Sequence, residues 1–261
     1  MELPLYRIDA FTSRRFGGNP AGVVPLRRWL PDSMLQAIAF ENNLAETAFF
    51  IPDGEGYRLR WFTPTLEADL CGHATLASAY VITTFLEPKR REMWFDTRSG
   101  RLGVTRKGEN YVLDFPLWPV QPVMAPAVAK ALGAQPAELL ASVPYLAVFD
   151  SWEQVAMLKP DLTAVAALDL DGVLATAPGR DGVDYVARYF APGAGIPEDP
   201  ATGSAQCVLM PYWAKRLNRT HLIGRQISQR VGDFDCELLD NRVKIGGRAV
   251  CYLRGSIFVE G

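Results

Sequence analysis

The chain has 261 residues, 49% of them hydrophobic and 21% charged, with 27 Lys and Arg against 29 Asp and Glu. Usage this close to the globular average supports a sizeable core and excludes global disorder, and the length predicts one large domain or two small ones. A formal charge of −2 excludes a non-specific nucleic-acid binder, whose surface must be basic, but leaves room for a small anionic ligand in a local pocket.

In chain order, residues 5–11 read as a strand, and Phe16-Gly17-Gly18-Asn19-Pro20-Ala21-Gly22 as a turn leading into a second short strand at 22–25. Pro31-Asp32 opens a helix with Leu35, Ile38 and Ala39 on one face, closed by Asn42-Asn43. Residues 46–51 and 57–62 have strand composition and alternation. Residues 73–86, almost free of charge, suit a helix packed on more than one side. Strands follow around 94–95, 102–105 and 111–115. Pro116, Pro119, Pro122 and Pro126 mark the best linker. Beyond it, 127–132 and 136–140 read as helical, and 145–149, 155–158, 173–176 and 183–190 as strands. Residues 200–217 read as a helix, and the tail from Val231 as strands and turns.

The remaining exclusions come from particular residues. The longest apolar stretch, 76–86, is broken by Ser78, Thr83 and Thr84 and falls far short of the ~20 residues that span a bilayer. The N-terminus lacks the basic and apolar regions of a signal peptide, so a cytoplasmic location is expected. Cys71, Cys207, Cys236 and Cys251 show no CxxC spacing, and only His73 and His221 are available, so no disulfide framework, zinc site, metal or cofactor is expected.

An internal repeat organises the chain. Arg60-Trp61-Phe62-Thr63-Pro64 returns as Arg188-Tyr189-Phe190-Ala191-Pro192, an offset of 188 − 60 = 128. Each copy ends a strand, crosses an acidic loop and enters a small-residue helix, at Gly72-His73-Ala74-Thr75 and at Asp199-Pro200-Ala201-Thr202-Gly203-Ser204-Ala205. A helix start presents unpaired N–H groups and a positive dipole end, and small residues let a ligand approach. Two such starts facing one cleft would hold a small carboxylate. Glycines serving only tight turns is the competing reading of either segment alone.

Acid–base candidates near these starts are Glu46, Asp69, His73, Glu198 and Asp199. Glu46 opens an apolar strand and shares a face with Ala48 and Phe50, where burial would raise its pKa toward neutral; an edge-strand glutamate facing water is the alternative. His73 suits proton transfer or simple carbonyl bonding. Asp199 before Pro200 suits a helix N-cap as well as catalysis. Cys71 tests a two-thiol racemase. The equivalent position in the second half holds Glu198-Asp199-Pro200, which disfavours it.

These residues resemble the PhzF (phenazine-biosynthesis isomerase-like) family. The resemblance rests on Asp9-Ala10-Phe11 with Gly18-Asn19-Pro20-Ala21-Gly22-Val23, Leu44-Ala45-Glu46-Thr47, Phe62-Thr63-Pro64, Asp69-Leu70-Cys71-Gly72-His73-Ala74-Thr75, and Asp199 to Ala205, in order over about 200 residues. It implies an α+β, diaminopimelate epimerase-like fold: two pseudo-symmetric domains, each a curved, mostly antiparallel sheet wrapped around a central helix. The halves would be 1–118 and 119–253, with a last strand within 254–261 able to return to the first. It further implies a cofactor-independent isomerase that moves a proton, and hence a double bond, in a small carboxylate, assembled as a homodimer. Glu46 would be the acid/base, His73 and Asp199 its assistants, and Gly72, Gly203 and Ser204 substrate-binding residues. A racemase or epimerase using Cys71 and one carboxylate, and a non-catalytic interaction protein, are the alternatives. The chain is somewhat short for the family.

Overall fold

A computed structural model describes residues 1–260. The first elements are β1 (Glu2–Ala10), β2 (Asn19–Pro25), α1 (Asp32–Asn42), β3 (Glu46–Asp53), β4 (Gly56–Phe62), β5 (Glu67–Ala68), α2 (Gly72–Val81), β6 (Glu92–Thr97), β7 (Gly100–Lys107) and β8 (Asn110–Pro116). Then come β9 (Gln121–Pro122), α3 (Pro126–Leu132), β10 (Glu138–Ala141), β11 (Tyr145–Val148), α4 (Trp152–Ala156), α5 (Leu162–Ala166), β12 (Val173–Pro178), β13 (Tyr185–Ala191) and β14 (Ile196–Asp199). The chain closes with α6 (Gln206–Leu217), β15 (His221–Gln226), β16 (Gly232–Leu239), β17 (Arg242–Gly247) and β18 (Ala249–Phe258). Backbone contacts divide it into two units, Met1–Asp114 with Gly246–Gly261, and Phe115–Ile245.

In the first unit β18, β1 and β2 pair antiparallel in succession, β2 runs parallel to β3, β3 antiparallel to β4, β4 parallel to β6, and β6, β7 and β8 antiparallel; β5 folds back on β4. The second unit repeats this order with β9, β10, β11, β12, β13, β15 and β16, and β14 folds back on β13 as β5 does on β4. The sequence repeat is therefore a repeat of topology, and each unit is a mostly antiparallel sheet around one helix.

Helix α2 carries no charge and packs against β1, β2, β3 and β18. Its hydroxyls bond its own carbonyls (Thr75 to Cys71, Ser78 to Ala74), which lets a partly polar helix be buried. One π turn, Ile82–Leu86, prolongs it. Helix α6 packs against β15 and β16. Its internal Pro211 cannot donate to the Cys207 carbonyl, and the Trp118 amide bonds that carbonyl instead. A second apolar layer lies outside each sheet: Leu35, Ile38 and Ala39 of α1 against Val24, Phe49 and Phe62, and Val128, Val155 and Val165 of α3, α4 and α5 against Val173 and Val186. Each such buried Val, Leu, Ile or Phe side chain contributes about 1.5–3 kcal/mol of transfer free energy. Among the described residues no helix is long and apolar enough to cross a membrane.

Three sequence expectations are corrected. The helix expected at 136–140 is replaced by a loop end and strand β10, Glu138–Ala141, which pairs with β9 and β11 on either side. The strand expected at 155–158 is the end of α4 and its exit. Ser151 and Gln154 form a capping box there, the signal that short apolar runs obscured. The helix expected from residue 200 starts at Gln206, after a tight turn.

Candidate active site

Glu46 is delivered by the exit of α1. Asn43 adopts a left-handed conformation, φ 47°, and its N–H closes on Ala39 and Phe40, so β3 can begin at once. β3 is an interior strand, with Glu46 opposite Ala21 of β2 and Thr47 opposite Phe62 of β4. The edge-strand alternative is thereby corrected. Thr47 accepts a hydrogen bond from Asn42 at 3.1 Å, and a Cβ on Gly22 would approach its Oγ1 to 2.9 Å, so only glycine fits between them. The Glu46 side chain is 13% exposed.

Helix α2 supplies the partners. Cys71 is its N-cap in extended conformation, Gly72 its first residue, and His73 follows. His73 Nε2 lies 3.2 Å from Glu46 Oε2, and His73 Nδ1 lies 3.5 Å from Cys71 Sγ. A carboxylate oxygen of Glu46, the Cys71 sulfur and a ring nitrogen of His73 all fall within 4.8 Å of one another. Burial pushes the imidazole down, to about 3, so His73 is neutral at physiological pH and offers one N–H and one lone pair. The first-turn amides of α2 point beyond the helix, as at any helix start.

In the second unit Asp199 ends β14, opposite Tyr189. It does not cap α6, whose N-cap position is Ala205, without a side-chain bond. Instead its carboxylate accepts from the Thr202 hydroxyl. Gln226, fully buried, holds the turn: its amide donates to the Asp199 carbonyl and to Thr202 Oγ1, and its Oε1 accepts from the Thr202 N–H at 2.8 Å. Gly203 and Ser204 form the next turn, where their carbonyls accept from Gln206 and Cys207. Tyr185 and Gln206 brace it further, 2.6 Å apart. Sequence reasoning missed Gln226, Gln206 and the Thr202–Asp199 bond; an isolated glutamine in a strand carries no spacing signal.

The other candidates are committed elsewhere. Glu198 is held by both forks of Arg188 at 2.8 Å, as Glu67 is by Arg60 at 2.7 Å. The Asp69 carboxylate is 81% exposed. His221 is exposed and bonded to Asp235. Cys207 and Cys236 are buried thiols; burial raises both, Cys207 to about 12, which leaves them chemically inert.

Thus each unit carries one polar cluster at the start of its central helix, in an α+β fold with an internal repeat. The chain matches the model of the phenazine biosynthesis-like (PhzC-PhzF) proteins over residues 8–255. It is 45% identical to an uncharacterized isomerase of Pseudomonas aeruginosa, covering 98% of this chain and 99% of that one. It is 37% identical to the phenazine biosynthesis-like domain-containing protein 1 of Mus musculus, covering 98% and 99%. A crystal structure of a PhzF-family phenazine biosynthesis protein from Enterococcus faecalis superposes with a TM-score of 0.95 at 46% identity, covering 99% and 100%. A probable proline racemase from Agrobacterium radiobacter, 12% identical, shares the fold with a TM-score of 0.63, covering 99% and 93%. The chain belongs to the phenazine biosynthesis-like (PhzF) family. Its class is isomerase, the class named for several relatives at 39–46% identity.

Proposed function

We propose that this isomerase works without a cofactor, moving a proton and hence a double bond within a small unsaturated carboxylate. Glu46 lifts the proton from one carbon and returns it to another. His73 orients the carboxylate and bonds whichever protonation state it adopts. Asp199 assists as a hydrogen-bonding or proton-relaying group. Gly72, Gly203 and Ser204 bind the substrate carboxylate through backbone N–H groups and the Ser204 hydroxyl.

The observation that carries this reading is the Glu46–His73 contact of 3.2 Å in a nearly dry setting at a helix start. A carboxylate so placed is a poised base, and positioned acid–base groups are worth about 10²–10⁴-fold in rate. The test is proton NMR of the protein in D2O with a panel of small unsaturated and amino carboxylates, including dihydro-hydroxyanthranilate. Product signals are followed as well as deuterium uptake, because one base returning its own proton exchanges little. Turnover that Glu46→Gln lowers by about 10²–10⁴-fold supports the assignment; full activity in that variant removes it.

A further inference from the structure

We propose that Cys71 is a third proton-carrying member of the Glu46 cluster, coupled to the carboxylate through the tautomer of His73. As half of a two-thiol pair Cys71 has no counterpart in the second unit, where Glu198-Asp199-Pro200 stands instead. Its position assigns it a different partner. Sγ lies 3.5 Å from Nδ1 of His73, while the other ring nitrogen lies 3.2 Å from Glu46. Cys71 and His73 are 4% and 5% exposed, so little solvent competes for these contacts.

A neutral imidazole carries one N–H and one lone pair. The Nε2 and Oε2 atoms are close but not aligned as a hydrogen bond; with Glu46 ionised, a small turn of the ring brings Nε2–H onto the carboxylate while Nδ1 accepts from the thiol. Moving the thiol proton to Nδ1 while the Nε2 proton passes to Glu46 gives a thiolate, the other tautomer and a carboxylic acid. One S–H and one N–H bond break, one N–H and one O–H bond form, and both protons stay in the cluster. In the first state Glu46 is the base and Cys71 the acid; in the second the roles are exchanged. A proton-shifting site built this way starts from either side of its reaction without a proton from outside. The contacts need only the tightening that substrate binding commonly brings.

On the strands around α2, Arg7 lies over the Tyr252 ring and Arg254 over the Tyr6 and Phe85 rings. Asp9 of β1 accepts from the Phe16 amide, and Cys251 of β18 bonds the Leu253 carbonyl. The use of this coupling rests on the isomerase reading, but its test does not.

The chain has only two histidines, so nitrogen-15 imidazole NMR separates His73 from His221, with His221→Asn for assignment. Cysteine labelled at Cβ reports the thiol, identified by Cys71→Ser. Both are followed from about pH 6 to about pH 11, across the ordinary thiol range. Titration removes one proton from the cluster, and the thiolate that results draws the remaining ring proton to Nδ1; the expected result is one shared midpoint, at which His73 changes tautomer as Cys71 ionises, moved by at least about one pH unit in Glu46→Gln. Cys71→Ser should abolish the tautomer change. A ring that keeps one tautomer throughout, a shared midpoint that Glu46→Gln leaves in place, or a tautomer change that survives Cys71→Ser each overturns the proposal. No turnover is measured, so this failure and that of the isomerase reading are seen separately.

Discussion

The two central-helix starts descend from one pattern and have diverged in what they hold. Arg60 and Arg188 each lie over a phenylalanine two residues on, at 5.1 and 4.8 Å, and each grips a glutamate of the returning strand with both forks. Beyond that shared clamp the chemistry parts. In the first unit α2 begins at Gly72, and a cysteine, a histidine and a glutamate converge. In the second, α6 begins only at Gln206, and the turn before it is fixed by amide and hydroxyl bonds to Asp199 and Gln226. The common scaffold places a polar cluster. The local residues decide what that cluster contains: a glutamate, a cysteine and a histidine side by side in the first unit, and a carboxylate that accepts from a threonine hydroxyl in the second.

The clamps should dominate stability, and unequally. Arg188 also donates to the carbonyls of Val155, Ala156 and Leu158, tying α4 to β13. Arg188→Met therefore strands Glu198 and three acceptors, an expected loss of about 4 kcal/mol. Arg60→Met leaves Glu67 still paired with Arg98 at 2.8 Å and should cost about 2–3 kcal/mol. Urea unfolding of both variants measures the pair. Equal losses, or losses below about 1 kcal/mol, would reduce the clamps to ordinary surface ion pairs.

These clamps show how far the sequence could be read. Arg60 and Arg188 stand in a visible repeat, and Glu46, Cys71 and His73 stand in motifs whose order is itself informative. What the sequence left open was depth. Nothing in Glu46-Thr47-Ala48 distinguishes an interior strand from an edge, because that depends on β2 and β4 arriving from elsewhere in the chain. Asp199 was legible as a polar residue at a helix approach, but its partner Thr202 and the distant Gln226 come together only through the β15 pairing. The short segments 136–140 and 155–158 exchanged helix for strand because four or five residues carry no usable period.

The pH dependence of folding sharpens the contrast next. His73 is held neutral, its pKa lowered from 6.5 to about 3 by burial, whereas its counterpart when Ala74-Thr75 is aligned with Ala201-Thr202, an offset of 202 − 75 = 127 that needs a one-residue gap in the repeat, is Pro200, which cannot titrate. Below about pH 6.5 the unfolded chain takes up a proton at this histidine that the folded chain refuses. Stability from this residue is thus complete above 6.5 and falls with pH until about 3, by up to about 1.4 kcal/mol per pH unit. Unfolding free energies from about pH 4 to about pH 8 should show that slope in the wild type and its loss in His73→Gln, a readout needing no substrate. A slope unchanged by the substitution would mean that His73 charges inside the fold.

The smallest effect separates two threonines that the repeat aligns. Thr75 donates its hydroxyl to the Cys71 carbonyl at 2.6 Å, a neutral acceptor within its own helix; Thr202 donates to the Asp199 carboxylate. Bonds to a charged group contribute about 1.5–3 kcal/mol and neutral ones about 0.5–1.5 kcal/mol. Thr202→Val should accordingly destabilise by about 2 kcal/mol and Thr75→Val by about 1 kcal/mol, read from the same urea titrations. The order matters more than either size. If Asp199 is a held carboxylate, losing the Thr202 hydroxyl also weakens its grip on the turn, and Thr202→Ser should restore what Thr202→Val loses. If the two valine variants fall equally and serine restores neither, the carboxylate draws its stability from other donors, and the second unit's cluster is less fixed than its geometry implies.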